Sequence, residues 1–284
     1  MKNKVGLICE GGGTKGAYTC GVLKAFIEHD ILLPYCVGIS AGAESLLPYV
    51  SRQPQRCYIT GVEATTQKNA VGLRPLLKEG TVFGIEATCD FLEERAPLDF
   101  KTFYESETAC DIGLYNMETG KVEYFPKEYV DEDMTLVKAS CALLLLAKPY
   151  EFLGKLYMDA GLVDMICIEQ SIRSGNNKHI VISTKEEGYV RKPAPNWQIW
   201  LAKKVHKKYP HIAEHLKIRH KNYERQWGIV KDLEKEGKAL VLRPSADYGV
   251  SRYTTDPVKL GPWFELGYTD TVERLEMIRK FINE

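Results

Sequence analysis

The first fifty residues switch twice between strand and helix periodicity, and that switching limits the fold more than anything later in the chain. Lys4 to Cys9 (KVGLIC) is a short, nearly continuous apolar run, the pattern of a strand buried on both faces. Glu10-Gly11-Gly12-Gly13 breaks it. From Thr14 to His29 the apolar residues fall at helical spacing, with Cys20, Leu23 and Ile27 on one stripe and Val22 and Phe26 beside it. Leu33-Pro34 marks a turn, and Tyr35 to Ile39 (YCVGI) forms a second short strand. Ser40-Ala41-Gly42 then opens another helical stretch to about Val50. Strand, helix, strand, helix in this order predicts βαβ units and a parallel sheet.

The rest of the 284 residues extends the same class. Ala109 to Tyr115 reads as a strand, Met117-Glu118-Thr119-Gly120 as a turn, and Lys121 to Phe125 as the returning arm of a hairpin. Thr135 to Leu146 reads as a helix. Tyr150 to Leu153 and Leu156 to Met158 flank Gly154-Lys155, read as a two-residue hairpin turn. His179 to Thr184 (HIVIST) is another buried strand. From Asn196 the chain is largely helical and charged, with one strand-like run at Ala239 to Arg243. Val272, Leu275, Ile278 and Ile282 are spaced for one buried face of a final helix. Pro193-Ala194-Pro195 is the best boundary, dividing residues 1–192, a catalytic α/β body, from residues 193–284, a mostly helical extension packed on it.

Lys plus Arg balance Asp plus Glu at 38 each, so nothing asks for a nucleic-acid partner. A local basic stretch, KKVHKK at Lys203 to Lys208, is the one exception to an even charge distribution. The apolar stretch near the N-terminus is only about five residues and runs into glycines, unlike a secretory leader. No apolar run approaches the roughly 20 residues of a membrane helix. The expected location is the cytoplasm. Eight cysteines without a CxxC pair argue against a zinc site or a disulfide scaffold, and reduced thiols are expected.

Gly11-x-Gly13-x-x-Gly16, between a strand and a helix, matches a dinucleotide-binding loop when read alone. That reading needs an acidic residue at the end of the second strand, and Asp30 lies before that strand. A phosphate-binding P-loop fails too, because Lys15 sits between Thr14 and Gly16 with no Gly-Lys-Ser/Thr following. Two readings remain: a tight turn with no ligand, or a cradle of backbone N–H groups for an anion, including an oxyanion formed in acyl transfer.

Gly38-Ile39-Ser40-Ala41-Gly42 has the nucleophile-elbow spacing. The serine must stand on a sharp, strained turn to expose its hydroxyl, and the residues two before and two after it must be small where strand and helix pack closely. A serine needs a base. The six histidines are His29, His179, His206, His211, His215 and His220, and none lies in a loop suited to a triad partner. The last four fall in the charged helical tail, where solvated surface is the expectation. The residues alone leave the base open.

Taken together, Gly11-Gly12-Gly13-Thr14-Lys15-Gly16, Gly38-Ile39-Ser40-Ala41-Gly42 and Asp159-Ala160-Gly161 resemble the patatin-like phospholipase family, in particular its bacterial intracellular members. The order and spacing match, as do the intervening KASCAL stretch around Ser140 and the segment Tyr157-Met158-Asp159. The resemblance covers residue 5 to about 190. It implies a three-layer α/β/α fold with a central, mostly parallel sheet, and a Ser40–Asp159 dyad in which Ser40 is the nucleophile and Asp159 the base. It implies that the loop from Gly11 to Gly16 supplies oxyanion donors, with Lys15 where the family carries a basic residue. Where the family usually has glycine after the aspartate, this chain has Ala160. Alanine penalises positive φ, so a positive φ there would displace Asp159.

The implied activity is a serine acyl hydrolase of the lipase or phospholipase A type, acting on lipid carboxylic esters through an acyl-enzyme. A weakly active or inactive lipid-binding relative is the alternative. The partner is a lipid or ester substrate, contact with a membrane surface is compatible with it, and no cofactor or metal is called for. The sequence does not give the oligomeric state. Candidates for an apolar cleft are Leu143 to Leu146 and residues 71–92, including Leu73, Leu76, Leu77, Val82 and Phe83, most of which are expected in the ordinary core.

Overall fold

Successive side chains of a strand point to opposite faces. All five residues of the first strand, β1 (Val5–Cys9), are buried, so both faces of its sheet must be covered. The computed structural model describes residues 4–284; residues 1–3, on which the reading of the N-terminus partly rests, lie outside the described residues. After β1 the chain forms α1 (Gly16–Glu28), β2 (Tyr35–Gly38), α2 (Ala41–Val50), α3 (Pro54–Tyr58), α4 (Leu73–Glu79), α5 (Ile85–Arg95) and α6 (Phe100–Glu105). It continues through β3 (Ala109–Asn116), β4 (Val122–Pro126), α7 (Thr135–Cys141), β5 (Tyr150–Phe152), β6 (Lys155–Asp159), α8 (Ile168–Arg173) and β7 (Lys178–Ile182). The last third holds α9 (Asn196–Val205), α10 (His211–Lys235), β8 (Ala239–Leu242), α11 (Pro257–Val272) and α12 (Leu275–Asn283).

One eight-stranded sheet runs in the order β5-β6-β3-β2-β1-β7-β8, with β4 also on β3. β3, β2, β1, β7 and β8 are mutually parallel, while β4 and β6 join β3 antiparallel and β5 joins β6 antiparallel. Leu7, Cys9, Cys36, Ile180 and Ile182 face a core built with Leu23 and Phe26 of α1 and Trp263 and Phe264 of α11. Ile8, Val37 and Val181 point the other way, onto Ile168 of α8 and Tyr223 and Val230 of α10. The result is the expected three-layer α/β/α arrangement. β8, from beyond Pro195, pairs with β7 in parallel as a full member of the sheet. Among the described residues no helix is long and apolar enough to cross a membrane.

Four local expectations are corrected. The helix expected over 135–146 stops at Cys141, because the Ala142 carbonyl is turned out of the helix to accept the Asp159 N–H at 2.9 Å. The β5–β6 turn is Leu153-Gly154 rather than Gly154-Lys155. Both residues have positive φ (50° and 73°), the two-residue hairpin geometry that suits strand twist. The final apolar stripe is split: Val272 ends α11 and Ile278 belongs to α12, where it is fully buried. Leu73 and Leu77 are surface residues, 76% and 86% exposed, rather than core.

Candidate active site

The chain turns sharply at Ser40. With φ 53° and ψ −136°, a residue with a side chain occupies the left-handed half of backbone space between β2 and α2. Its neighbours explain the small residues at the flanks: a Cβ on Gly42 would lie 2.2 Å from the Cys9 carbonyl oxygen, and one on Gly38 would lie 2.8 Å from the Ala43 nitrogen. Ile39 is buried beneath the turn, and its carbonyl accepts the Gly42 N–H at 2.8 Å. A residue the sequence placed only as part of a matching stretch fixes the elbow. The Ser140 hydroxyl, fully buried at the end of α7, accepts the Ser40 N–H at 2.9 Å and donates to the Gly113 carbonyl at 3.0 Å.

Strand pairing brings Asp159 to the same place. Ile112 of β3 pairs with Gly38 of β2 and with Phe125 of β4, so β2 and β4 occupy opposite edges of β3. Leu114 pairs with Glu123 of β4 and with Asp159 of β6, so β6 shares the β2 edge. β2 and β6 therefore meet end to end, with Ser40 two residues past the end of β2 and Asp159 the last residue of β6. Asp159 is 4% exposed, and its Oδ1 accepts the Gly161 N–H at 2.7 Å. Burial pushes its carboxyl above the ordinary aspartate value, against the Gly161 N–H, the Ser40 hydroxyl and the charges of Arg219 and Arg252. The Ser40 hydroxyl lies close enough to the carboxylate to favour its charged form through a side-chain hydrogen bond. Ala160 is fully buried in a single 3-10 turn, Ala160–Leu162, and is not among the residues with positive φ, so alanine fits there without strain.

The glycine loop closes the other side. Gly11, Gly12 and Gly13 line a cleft with Ser40, Ile39, Asp159 and Gly161. Gly13 has φ 58°, and its missing Cβ would fall 2.6 Å from the Arg252 carbonyl oxygen. The loop is tied down by the Thr14 N–H donating to that same carbonyl at 3.2 Å and by the Thr14 hydroxyl donating to the Ser251 carbonyl at 3.0 Å. Among the described residues, the N–H groups of Gly12, Gly13 and Ala41 donate to no protein acceptor. Lys15 is engaged elsewhere, paired with Glu186 at 3.0 Å and 5.4 Å over the Trp263 ring, and its carbonyl accepts the Trp263 Nε1–H at 3.0 Å. Gly16 opens α1 against Ala41 at the start of α2. Just ahead of the loop, fully buried Glu10 accepts from the Ser183 hydroxyl, the Thr184 N–H and the Tyr223 hydroxyl, which anchors β1 to the strand and helix beside it.

Two recesses flank Ser40. One is lined by Ser40 and Ala41 with Val71, Phe83, Ile85, Val137 and Leu143, a mostly apolar lining. Glu44 also lines it, and burial, opposed by the Arg56 charge, pushes its carboxyl up to about 7. The other recess is the cleft of the glycine loop and Asp159, and it is walled by Arg191, Arg219 and Arg252. Sequence reading missed these three arginines: no local pattern marks them, and they meet only because the fold brings distant segments together.

The histidines stay apart from Ser40. The His179 ring pairs with the Ser171 hydroxyl at 2.9 Å, and burial pushes it down to about 4. The tail histidines are not the solvated surface expected of them: His206 is buried, His211 Nε2 meets the Met117 carbonyl at 2.8 Å, and His215 Nδ1 meets the Tyr115 hydroxyl at 3.0 Å. They pack because α9 and α10 lie against the edge of the sheet, where Tyr115 and Met117 complete an apolar cluster with Ile212 and Leu216.

A covered, mostly parallel sheet with a serine on a strand-to-helix elbow and a glycine loop beside it defines a lipase-like α/β class. The family described as patatin-like phospholipase matches residues 7–172, more than half of the chain, and the chain belongs to that family. Residues 209–283 match a second family, described only as a domain of unknown function (DUF6363). Among curated proteins the chain is similar to the uncharacterized protein YjjU of Escherichia coli strain K12, with 24% identity over 188 residues, covering 64% of this chain and 52% of that protein. The chain thus spans about half the length of the curated relative it matches. Among solved structures it is similar to VipD from Legionella pneumophila, at 13% identity and a TM-score of 0.48, over 98% of this chain and 67% of VipD.

Proposed function

We propose that this chain is a serine acyl hydrolase that cleaves carboxylic esters of lipids through Ser40 and Asp159. One observation carries the reading: β2 and β6 meet end to end on one edge of β3, so a serine on a strained turn and a buried carboxylate line the same cleft as unpaired backbone N–H groups. Asp159 accepts the Ser40 proton as Oγ attacks the ester carbonyl. The tetrahedral oxyanion sits against the N–H groups of Gly12, Gly13 and Ala41. The C–O bond to the alcohol breaks, the proton passes from Asp159 to the leaving alkoxide, and the acyl group remains on Ser40. Asp159 then takes a proton from water, which attacks the acyl-enzyme; the fatty acid leaves and Ser40 regains its proton. One water is consumed per ester.

A free aspartate, with a pKa near 3.9, is a weak base for a serine hydroxyl. The desolvation that raises the Asp159 carboxyl brings it closer to the task. The unstrained backbone at Ala160 favours turnover over the alternative of a lipid-binding protein without it. We further propose residues 1–192 as the catalytic unit and residues 193–284 as an extension completing its cleft with Arg219 and Arg252. Hydrolysis of medium-chain p-nitrophenyl esters is the test. Ser40→Ala should abolish it, and a Ser40→Ala protein as fast as its parent would refute the assignment.

A further inference from the structure

Arg191 also lines a second pocket, apart from both recesses of Ser40. This pocket opens beyond the carboxyl ends of the parallel strands β7 and β8, the place where open α/β sheets collect ligands. Ser183 and Arg243, the residues that follow the two strands, both line it. α10 supplies one wall. Its His220, Tyr223, Trp227 and Lys231 recur every three or four residues and so share one helix face. The segment after β7 supplies another wall with Lys185, Tyr189 and Arg191. Every lining residue falls between 183 and 243, beyond the 7–172 span that the phospholipase family matches. Arg191 is the one residue shared with the serine cleft.

Lys185, Arg191, Lys231 and Arg243 bring positive charge to this pocket, and few carboxylates answer it. Among the described residues Arg191, Lys231 and Arg243 form no salt bridge and no side-chain hydrogen bond. Aromatic faces hold the guanidinium groups instead: Arg191 lies 4.6 Å over the Tyr223 ring and Arg243 5.3 Å over the Trp227 ring. A guanidinium held by a ring keeps its N–H donors for other acceptors. Lys185 is buried, 3.8 Å from Glu10, and burial lowers its ammonium to about 8, so it keeps its charge at neutral pH. Of the lining glutamates, Glu186 is paired with Lys15, and Glu224 is exposed. Glu234, outside the lining, feels the Arg243 charge but forms no salt bridge with it. Two buried nitrogens of the lining, Arg191 Nε and His220 Nδ1, have no hydrogen-bond partner. Native interiors rarely leave such groups unmatched, and like charges gathered in a partly buried pocket repel one another until an anion joins them.

Guanidinium forks match the paired oxygens of phosphate and carboxylate, and several cations in one place call for more than one negative charge. We infer that this pocket is a binding site, separate from the serine cleft, for a small polyanion carrying at least two negative charges on phosphate or carboxylate oxygens. Arg191, Arg243 and Lys185 would hold its oxygens, with Lys231 at the exposed rim. Its ligand need not be a substrate, so the site stands whether or not Ser40 turns over an ester.

Isothermal titration calorimetry of the whole chain with pyrophosphate and, separately, with citrate tests the site. In about 0.15 M NaCl, which screens exposed charges, at least one of the two should bind with a Kd below about 1 mM. Arg243→Gln should weaken that binding about tenfold, and Lys231→Gln about threefold. Arg252→Gln, which changes the serine cleft and not this pocket, should alter it by less than about twofold. If Arg243→Gln costs the fold, Lys231→Gln still reads the site, because Lys231 is exposed. Binding of pyrophosphate alone marks the ligand as phosphorylated and binding of citrate alone marks it as a polycarboxylate; either supports the site. Saturation by neither anion up to about 10 mM overturns it, as does binding unmoved in both Arg243→Gln and Lys231→Gln. Binding lost in Arg252→Gln and kept in the other two places the anion at the serine cleft and overturns it as well.

Discussion

Replacing Ser140 with alanine removes one hydroxyl and leaves two buried groups without partners, the Ser40 N–H and the Gly113 carbonyl. An orphaned buried donor or acceptor costs about 1–3 kcal/mol. Partial relaxation of the pair gives a total of about 2–3 kcal/mol. At this chain length about 2 °C of melting temperature is lost per kcal/mol, so Tm should fall by roughly 5 °C. The second effect is on chemistry. Holding a residue with a side chain at φ 53° costs about 1–3 kcal/mol, and the Ser140 contact is the buried side-chain bond that holds the Ser40 backbone. Allowing the elbow to relax by about 1.4 kcal/mol would slow hydrolysis about tenfold. Differential scanning fluorimetry and p-nitrophenyl ester kinetics read the two effects on the same preparation. Tm and kcat/KM both equal to the parent's would refute the idea that α7 braces the nucleophile.

Two further outcomes test neighbouring parts of the site. Ala160→Gly should destabilise the protein by about 0.5–1 kcal/mol by chemical denaturation without raising kcat, because the alanine sits buried in a right-handed turn and glycine adds only chain freedom; a gain in activity would show that alanine does strain the motif. Glu44→Gln bears on pH. Burial raises the Glu44 carboxyl from its unfolded value near 4.5 to about 7, so the folded protein holds a proton that the unfolded chain has lost. The parent's stability therefore declines as pH rises from about 4.5 to 7 and is flat above, with a loss of about 3 kcal/mol. Glu44→Gln should match its parent near pH 4, exceed it in Tm at pH 8, and a gap independent of pH would refute the assignment.

The fold was legible in the sequence where one period dominates a whole element. The apolar runs read at Lys4 to Cys9 and His179 to Thr184 are central strands of the sheet, with bounds Val5–Cys9 and Lys178–Ile182. Helix ends were legible only where the local chain decides them. Nothing near Ala142 announces that its carbonyl will leave the helix, because the partner that takes it, the Asp159 N–H, belongs to β6. The elbow glycines could be anticipated from steric need alone, and the contacts at Gly38 and Gly42 supply that need. Asp159 came from the family resemblance rather than from any periodicity. The shared edge of β3 that brings it to Ser40 is a long-range pairing no local window contains. The arginines were invisible for the same reason. Each looks like one more charge in a balanced chain until β7, α10 and the segment before α11 are folded onto one cleft.

Labelling with a fluorophosphonate probe, followed by mass-spectrometric mapping of the modified residue, tests the central claim most directly, because it reads the nucleophile and its base in a single reaction. The parent protein should carry the label on Ser40, and Asp159→Asn should lose it by at least a hundredfold in rate while keeping its Tm within a few degrees. Label on another residue, or undiminished labelling of Ser40 in Asp159→Asn, would contradict a Ser40–Asp159 dyad.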